Sequence, residues 1–140
     1  MRILILMLLV ALTTTSAVEA RPSARYISAH TYLYGWNLRL RASLSLEGVR
    51  QGSSVMATIK SPDKATEFAR SLALDALVPR QREAGVGDPR LVIDLIRSDG
   101  TRETFYANDF YLFSEDGTRL RKIDICFQRR FELLPPGDCE

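Results

Sequence analysis

Between Asn37 and Glu47 the chain alternates without a break. Leu38, Leu40, Ala42, Leu44 and Leu46 are apolar, and Arg39, Arg41, Ser43, Ser45 and Glu47 are polar. A period of two predicts a strand with one buried and one wet face. Tyr26 to Trp36, rich in aromatic and β-branched residues, predicts another strand ahead of it, with Gly35 as a bend or bulge. Gly48 to Ser54 reads as a turn, and Val55 to Lys60 as a third strand.

At Ser61-Pro62-Asp63 the period changes. A hydroxyl at the N-cap, proline at the first helical position and a carboxylate near the positive end of the dipole all start a helix. Ala65, Phe68, Ala69, Leu72, Ala73, Ala76 and Leu77 follow at three and four spacing, which predicts a helix over Pro62 to Val78 packed on a sheet and stopped at Pro79. Gln81 to Pro89, with two glycines and a proline, reads as a loop.

From Arg90 the period returns to two, and Ser-Asp-Gly-Thr-Arg at 98–102 is echoed by Glu-Asp-Gly-Thr-Arg at 115–119. Asp-Gly suits a two-residue type I′ hairpin, in which both central residues take positive φ. With Asn108-Asp109 between them, these turns predict a meander of Leu91 to Arg97, Thr101 to Ala107, Phe110 to Ser114 and Thr118 to Lys122. Ile123, Cys126, Phe127, Phe131 and Leu134 then fall on one helical stripe that Pro135-Pro136-Gly137 ends.

The first twenty residues carry an address. Arg2 precedes an unbroken apolar run from Ile3 to Leu12, Thr13 to Ser16 makes a polar exit, and small residues at Val18 and Ala20 suit cleavage after Ala20, with a second choice after Ala17. A run of about ten residues is too short to span a bilayer, which takes about twenty. The domain plan is therefore a signal peptide over 1–20 and a single exported domain over 21–140. About 120 residues suffice for one core of ordinary size. The whole chain has a net charge of +2, and losing Arg2 and Glu19 with the leader leaves it unchanged, too near neutral for a nucleic-acid binder. Export to a secreted or periplasmic location puts Cys126 and Cys139 where disulfides persist, so they are expected to pair. The five residues after Leu134 can reach about 17 Å if extended, which covers the roughly 12 Å of helix back to Cys126. A reactive thiol would want a CxxC pair, a helix N-terminus or a nearby histidine.

Candidate chemistry is sparse. His30 is the only histidine, which removes most metal sites and nearly all histidine-based nucleophilic machinery. Ser61-x-x-Lys64 has the spacing of the serine penicillin-binding enzymes, but its companions Ser-Asp-Asn and Lys-Thr-Gly are missing, so it reads as a helix cap. Asp94 interrupts Leu91-Val92-Ile93 and Leu95-Ile96. It is the one carboxylate not explained by a turn or a cap, and the structural reading puts Val92, Asp94 and Ile96 on the less buried face of a strand. In an extended segment Tyr26, His30, Tyr32, Tyr34 and Trp36 share one face. Tyr32, Tyr34 and Trp36 could stack on a sugar ring or dock a partner. Arg39 and Arg41, with a basic cluster at Arg119, Arg121, Lys122, Arg129 and Arg130, could meet an acidic protein or the cell envelope.

The expected architecture is α+β: an antiparallel sheet from N-terminal strands and a C-terminal meander, one main helix across it, and a short disulfide-linked helix at the end. In element order alone it resembles cystatin-like and PepSY-like modules of exported proteins. No motif residue carries over, no family is assigned, and the likeness would favour binding or inhibition over catalysis. The expected function is a small non-enzymatic protein, without metal or cofactor, that binds a protein or envelope component, as an inhibitor or immunity-type protein does. The alternatives are a carboxylate-dependent hydrolase built on Asp94 and an envelope or carbohydrate binder built on the aromatic strand.

Overall fold

A computed structural model describes residues 26–36, 38, 42–81 and 87–132. It shows an antiparallel sheet whose seven strands run in the order β2-β1-β4-β5-β6-β7-β3. The strands are β1 (Tyr26–Leu33), β2 (Val55–Ile59), β3 (Val78–Pro79), β4 (Leu91–Arg97), β5 (Arg102–Ala107), β6 (Tyr111–Ser114) and β7 (Arg119–Lys122). The helices are α1 (Leu46–Gly52), α2 (Pro62–Ser71) and α3 (Ile125–Arg129).

Both faces of the sheet carry a core. On one, Ala29, Leu33, Leu91, Ile93, Leu95, Phe105, Ala107 and Leu112 meet Ala69 and Leu72 at α2, and Phe127 and Phe131 at α3. On the other, Val92, Tyr106, Phe113 and Leu120 pack with Val49 of α1. The second core corrects the expectation that Val92 faces a less buried side: Val92 is fully buried. Its cover is α1, which the sequence reading took for a turn.

The alternation from Asn37 to Glu47 does not form a strand in its described part. Trp36 lies in a turn, Leu38 and residues 42–45 are irregular, and Leu46 opens α1. Ser45 caps that helix, its Oγ accepting the N–H of Gly48 at 3.0 Å, with Glu47 in the first turn. Leu44 before the cap and Val49 after it belong to the same apolar cluster, the arrangement of a hydrophobic staple. Capping and the staple outweigh period two because the last wet positions of the supposed strand, Ser43, Ser45 and Glu47, are serines and an acid that suit a helix start.

The main helix is shorter than expected. It begins at Pro62 after Ser61, whose side chain makes no capping bond, while its backbone oxygen accepts from Ala65 at 2.8 Å. It ends at Ser71, since Ala73 takes φ 48°, and a 3₁₀ turn over Leu74–Ala76 leads into β3 against β7. The meander lies where the sequence put it, but its Asp-Gly turns are of another kind. Only the glycines have positive φ, 82° at Gly100 and 68° at Gly117. Asp99 accepts the N–H of Thr101 and Asp116 that of Thr118, at 2.8 and 3.0 Å. Gly100 N–H donates to Arg97 O at 3.0 Å and Arg97 N–H to Thr101 O at 2.9 Å. That is a type I turn with a left-handed glycine to close it.

The last helix is also shorter than its apolar stripe. Asp124 caps it, accepting the N–H of Phe127 at 2.8 Å, and it stops at Arg129. Cys126 is half-buried in this helix. Cys139 lies outside the described residues, so the bridge between them stays a proposal.

Candidate functional site

The aromatic face expected of the first strand is divided. A register shift between Tyr26 and Ser28 turns Tyr26 toward the main core, and Gly35, at φ 134°, turns the chain before Trp36. Trp36 is 4% exposed within that same core. Tyr32 and Tyr34 are half-buried against the second core, with Tyr34 so close over Gly52 that a Cβ there would come within 2.8 Å of its ring. His30 is half-buried, its Nδ1 3.2 Å from Thr58 Oγ1. Arg39 and Arg41 lie outside the described residues. The structure thus separates Trp36 from Tyr32 and Tyr34 and leaves none of the three fully open to solvent.

Asp94 is 3% exposed at the centre of a polar network. Arg50 reaches down from α1 and donates from Nε to Oδ2 at 3.0 Å and from an Nη to Oδ1 at 2.8 Å. Thr104, its cross-strand neighbour on β5, donates its hydroxyl to Oδ1 at 2.7 Å. Burial pushes the Asp94 carboxyl up, but hydrogen bonds from Arg50 and Thr104 and the charges of Arg50 and Arg102 outweigh it and hold the group below its ordinary value. Donating to Asp94 in turn raises Arg50, against the opposing effect of burial. A carboxylate with both oxygens engaged and its acidity increased is a fixed anion. It is a poor proton donor, since general acids near neutrality have raised values. Arg50 was missed in the sequence, where it sat in an assumed turn.

Clefts flank the sheet, two of them lined by described residues. One, of about 470 Å³, is lined by Glu103, Thr104, Ser114, Glu115 and Asp116 among others, and Asp94 is not part of its lining. Glu103 there is engaged by Arg97 at 2.7 Å and by the hydroxyl of Tyr26 at 2.8 Å. Asp116 is pulled down to about 2 by the Ser114 hydroxyl and by the N–H and hydroxyl of Thr118. The other cleft, of about 300 Å³, lies beside β2 and is lined by Val55, Ala57, Ile59, Phe68 and Phe131, with Arg130 and Glu132 also in its wall.

Large apolar side chains are exposed at Leu38, at Val78 of β3 and on two further surfaces. Phe110 is 64% and Ile125 57% exposed, and Ile123, two residues before Ile125, donates its N–H to Phe110 O at 2.9 Å. Buried Asn108 fixes this tip, its side-chain oxygen accepting the N–H of Phe110 and of Tyr111, each at 2.8 Å. Gln128 of α3 donates to Asp109 O at 2.7 Å, which ties the helix to the hairpin. The second surface is β2, where Met56 is 68% exposed.

Among the described residues no group of His, Cys, Asp and Glu could hold a metal ion, and no helix is long and apolar enough to cross a membrane. No protein-family model, no curated protein and no solved structure matches the chain.

Proposed function

We propose that this chain is a small, exported, non-enzymatic protein, secreted or periplasmic, that binds a macromolecular partner in the manner of an inhibitor or immunity-type protein. The observation that carries this reading is Phe110. A large aromatic ring is held out to solvent on a backbone fixed by Asn108 and by Gln128 of α3, the helix that also carries exposed Ile125. A rigid aromatic anchor loses little conformational entropy on binding and suits the centre of a protein interface. The committed oxygens of Asp94 weigh against the hydrolase, and the burial of Trp36 weighs against a sugar platform on the first strand.

Export rests on the pattern of residues 1–20, and the Cys126–Cys139 bridge on the oxidising compartment that export implies. The mass of the exported protein, with and without reductant, tests both. A chain starting at Arg21, or at Val18 if the earlier site is used, and two mass units short of two free thiols is expected. A chain starting at Met1, or two readily alkylated cysteines, would count against them.

The binding reading is tested by capture from envelope extract, using the protein and its Phe110→Ala variant as baits. Exposed Phe110 is expected to leave stability within about 0.5 kcal/mol, while a specific partner is retained roughly tenfold less or worse. An identical set of retained proteins on both baits would refute this surface. A loss of biological activity of about a hundredfold in a folded Asp94→Asn variant would put the hydrolase first.

A further inference from the structure

The two edges of the sheet are treated differently. At one end β3 is only two residues long and its second residue is Pro79, which has no N–H to offer an incoming strand. Short length and proline are standard ways of blunting an edge. At the other end β2, Val-Met-Ala-Thr-Ile, has five residues, no charge, no proline and no bulge in its pairing with β1. Met56, Ala57 and Thr58 are all exposed.

Backbone alternation shows what this edge offers. Tyr34 N–H donates to Arg90 O at 2.8 Å, so even-numbered residues of β1 turn their peptide groups to β4. Ala29, Thr31 and Leu33 turn theirs to β2, where they meet Ile59, Ala57 and Val55. The N–H and C=O of Met56 and Thr58 therefore point out of the sheet, with no strand beyond them among the described residues.

We propose that β2 pairs with the β2 strand of a second copy, antiparallel about a twofold axis through Ala57, so that the protein is a dimer with one sheet continuous across both subunits. The strand is complementary to itself in that register. Met56 faces the partner's Thr58, and each exchanges both backbone hydrogen bonds with the other. Val55 faces the partner's Ile59 on the side of the main core, extending the apolar floor of the cleft under Phe68 and Phe131. Ala57 meets the partner's Ala57 at the non-hydrogen-bonded position, where Cα atoms approach to about 4.5 Å and a small side chain fits best. Lys60 falls opposite the partner's Ser54, so no like charges meet. Because β3 is blunted, a β2-to-β3 stack that would grow into fibres is disfavoured, and an isologous contact that uses both bare edges closes at two subunits. This surface is distinct from Phe110, so the inference does not depend on the partner-binding reading.

Sedimentation velocity and native mass spectrometry on the purified protein test it. The protein is expected to be dimeric at micromolar concentration. Ala57→Glu and Ala57→Lys place like charges against each other across the axis, and each is expected to weaken association by about tenfold or more. Mixing the two variants is expected to restore a heterodimer, which a variant that merely misfolds could not form. A protein that stays monomeric, charge variants that dimerise as well as the parent, or a mixture that fails to pair would each overturn the proposal. A monomer that instead takes up an unrelated extended peptide at β2 would overturn it in favour of strand addition by another protein.

Discussion

Arg50 and Asp94 lie 44 positions apart and meet through two hydrogen bonds of 3.0 and 2.8 Å across the space between a short helix and the sheet below it. The pair joins α1 to the centre of the fold. Its members are unequally placed, with 15% of the Arg50 side chain exposed against 5% for Asp94.

That inequality sets the order of two mutational effects. Arg50→Ala leaves a buried carboxylate with the Thr104 hydroxyl as its side-chain donor and the charge of Arg102 as a remaining cation, and is expected to cost about 3 kcal/mol. Asp94→Asn leaves a guanidinium that can turn to water, and about 1–2 kcal/mol is expected. Urea unfolding measures both, and equal losses would show that Asp94 is better solvated than its surroundings imply. The pH dependence follows from the lowered Asp94 value. A carboxyl lower in the folded than in the unfolded state stabilises fully above the unfolded value near 4, and that contribution is lost as pH falls through the folded one. In Arg50→Ala burial is no longer opposed by the guanidinium, so Asp94 is expected to titrate at higher pH and the stability gap between variant and parent to narrow as pH falls and the carboxyl is protonated.

Gly100 and Gly117 occupy equivalent turn positions with positive φ, and a Cβ meets different surroundings at each. At Gly100 nothing lies within 4 Å, whereas at Gly117 the Tyr106 hydroxyl is 3.0 Å away. Tyr106 is buried and stacked on Phe113 at 4.8 Å, so it has little room to retreat. Gly100→Ala is expected to lose about 1 kcal/mol from backbone strain alone, and Gly117→Ala about 1 kcal/mol more from overpacking. Thermal unfolding of the two variants side by side provides the measurement, and a smaller loss at Gly117 would contradict the packing of Tyr106.

Tyr26 is pushed up to about 12, first by burial and then by the hydrogen bond and charge of Glu103, with Arg97 opposing. A phenol whose folded value exceeds the unfolded 10 stabilises fully below pH 10, and loses that contribution as pH climbs through about 12. Absorbance titration is expected to show two tyrosines ionising late, Tyr106, which burial also raises, and Tyr26. Glu103→Gln is expected to bring its value back toward 10, and no change would mean that burial alone sets it.

The meander was readable because its signals were local and mutually consistent: period two in the strands, Asp-Gly at two turns, and Asn108 at the third. The turn type was not, because Asp99 and Asp116 favour a type I geometry by bonding two residues onward and leave positive φ to glycine alone. Leu38 to Leu46 misled because spacing alone cannot tell a strand from an approach to a capped helix, whereas Leu44-Ser45 followed by Val49 held the signal for α1. Without α1, Asp94 could be noticed as an odd residue but not given a partner. Phe110 was visible only as a strand start, since its exposure depends on how α3 returns to the hairpin. Trp36 changed faces because one glycine broke the parity on which its placement relied.

The burial of Trp36 also supplies the molecule with its own optical probe. It is the only tryptophan in the chain, and it sits in the core shared by α2, α3 and the inner strands. Its emission therefore reports a shielded indole, shifted to the blue and poorly reached by a water-borne quencher. A ligand that settles on an outer surface leaves that colour alone, while loosening of the helical layer moves it to the red, so docking and unfolding can be told apart in a single unlabelled sample.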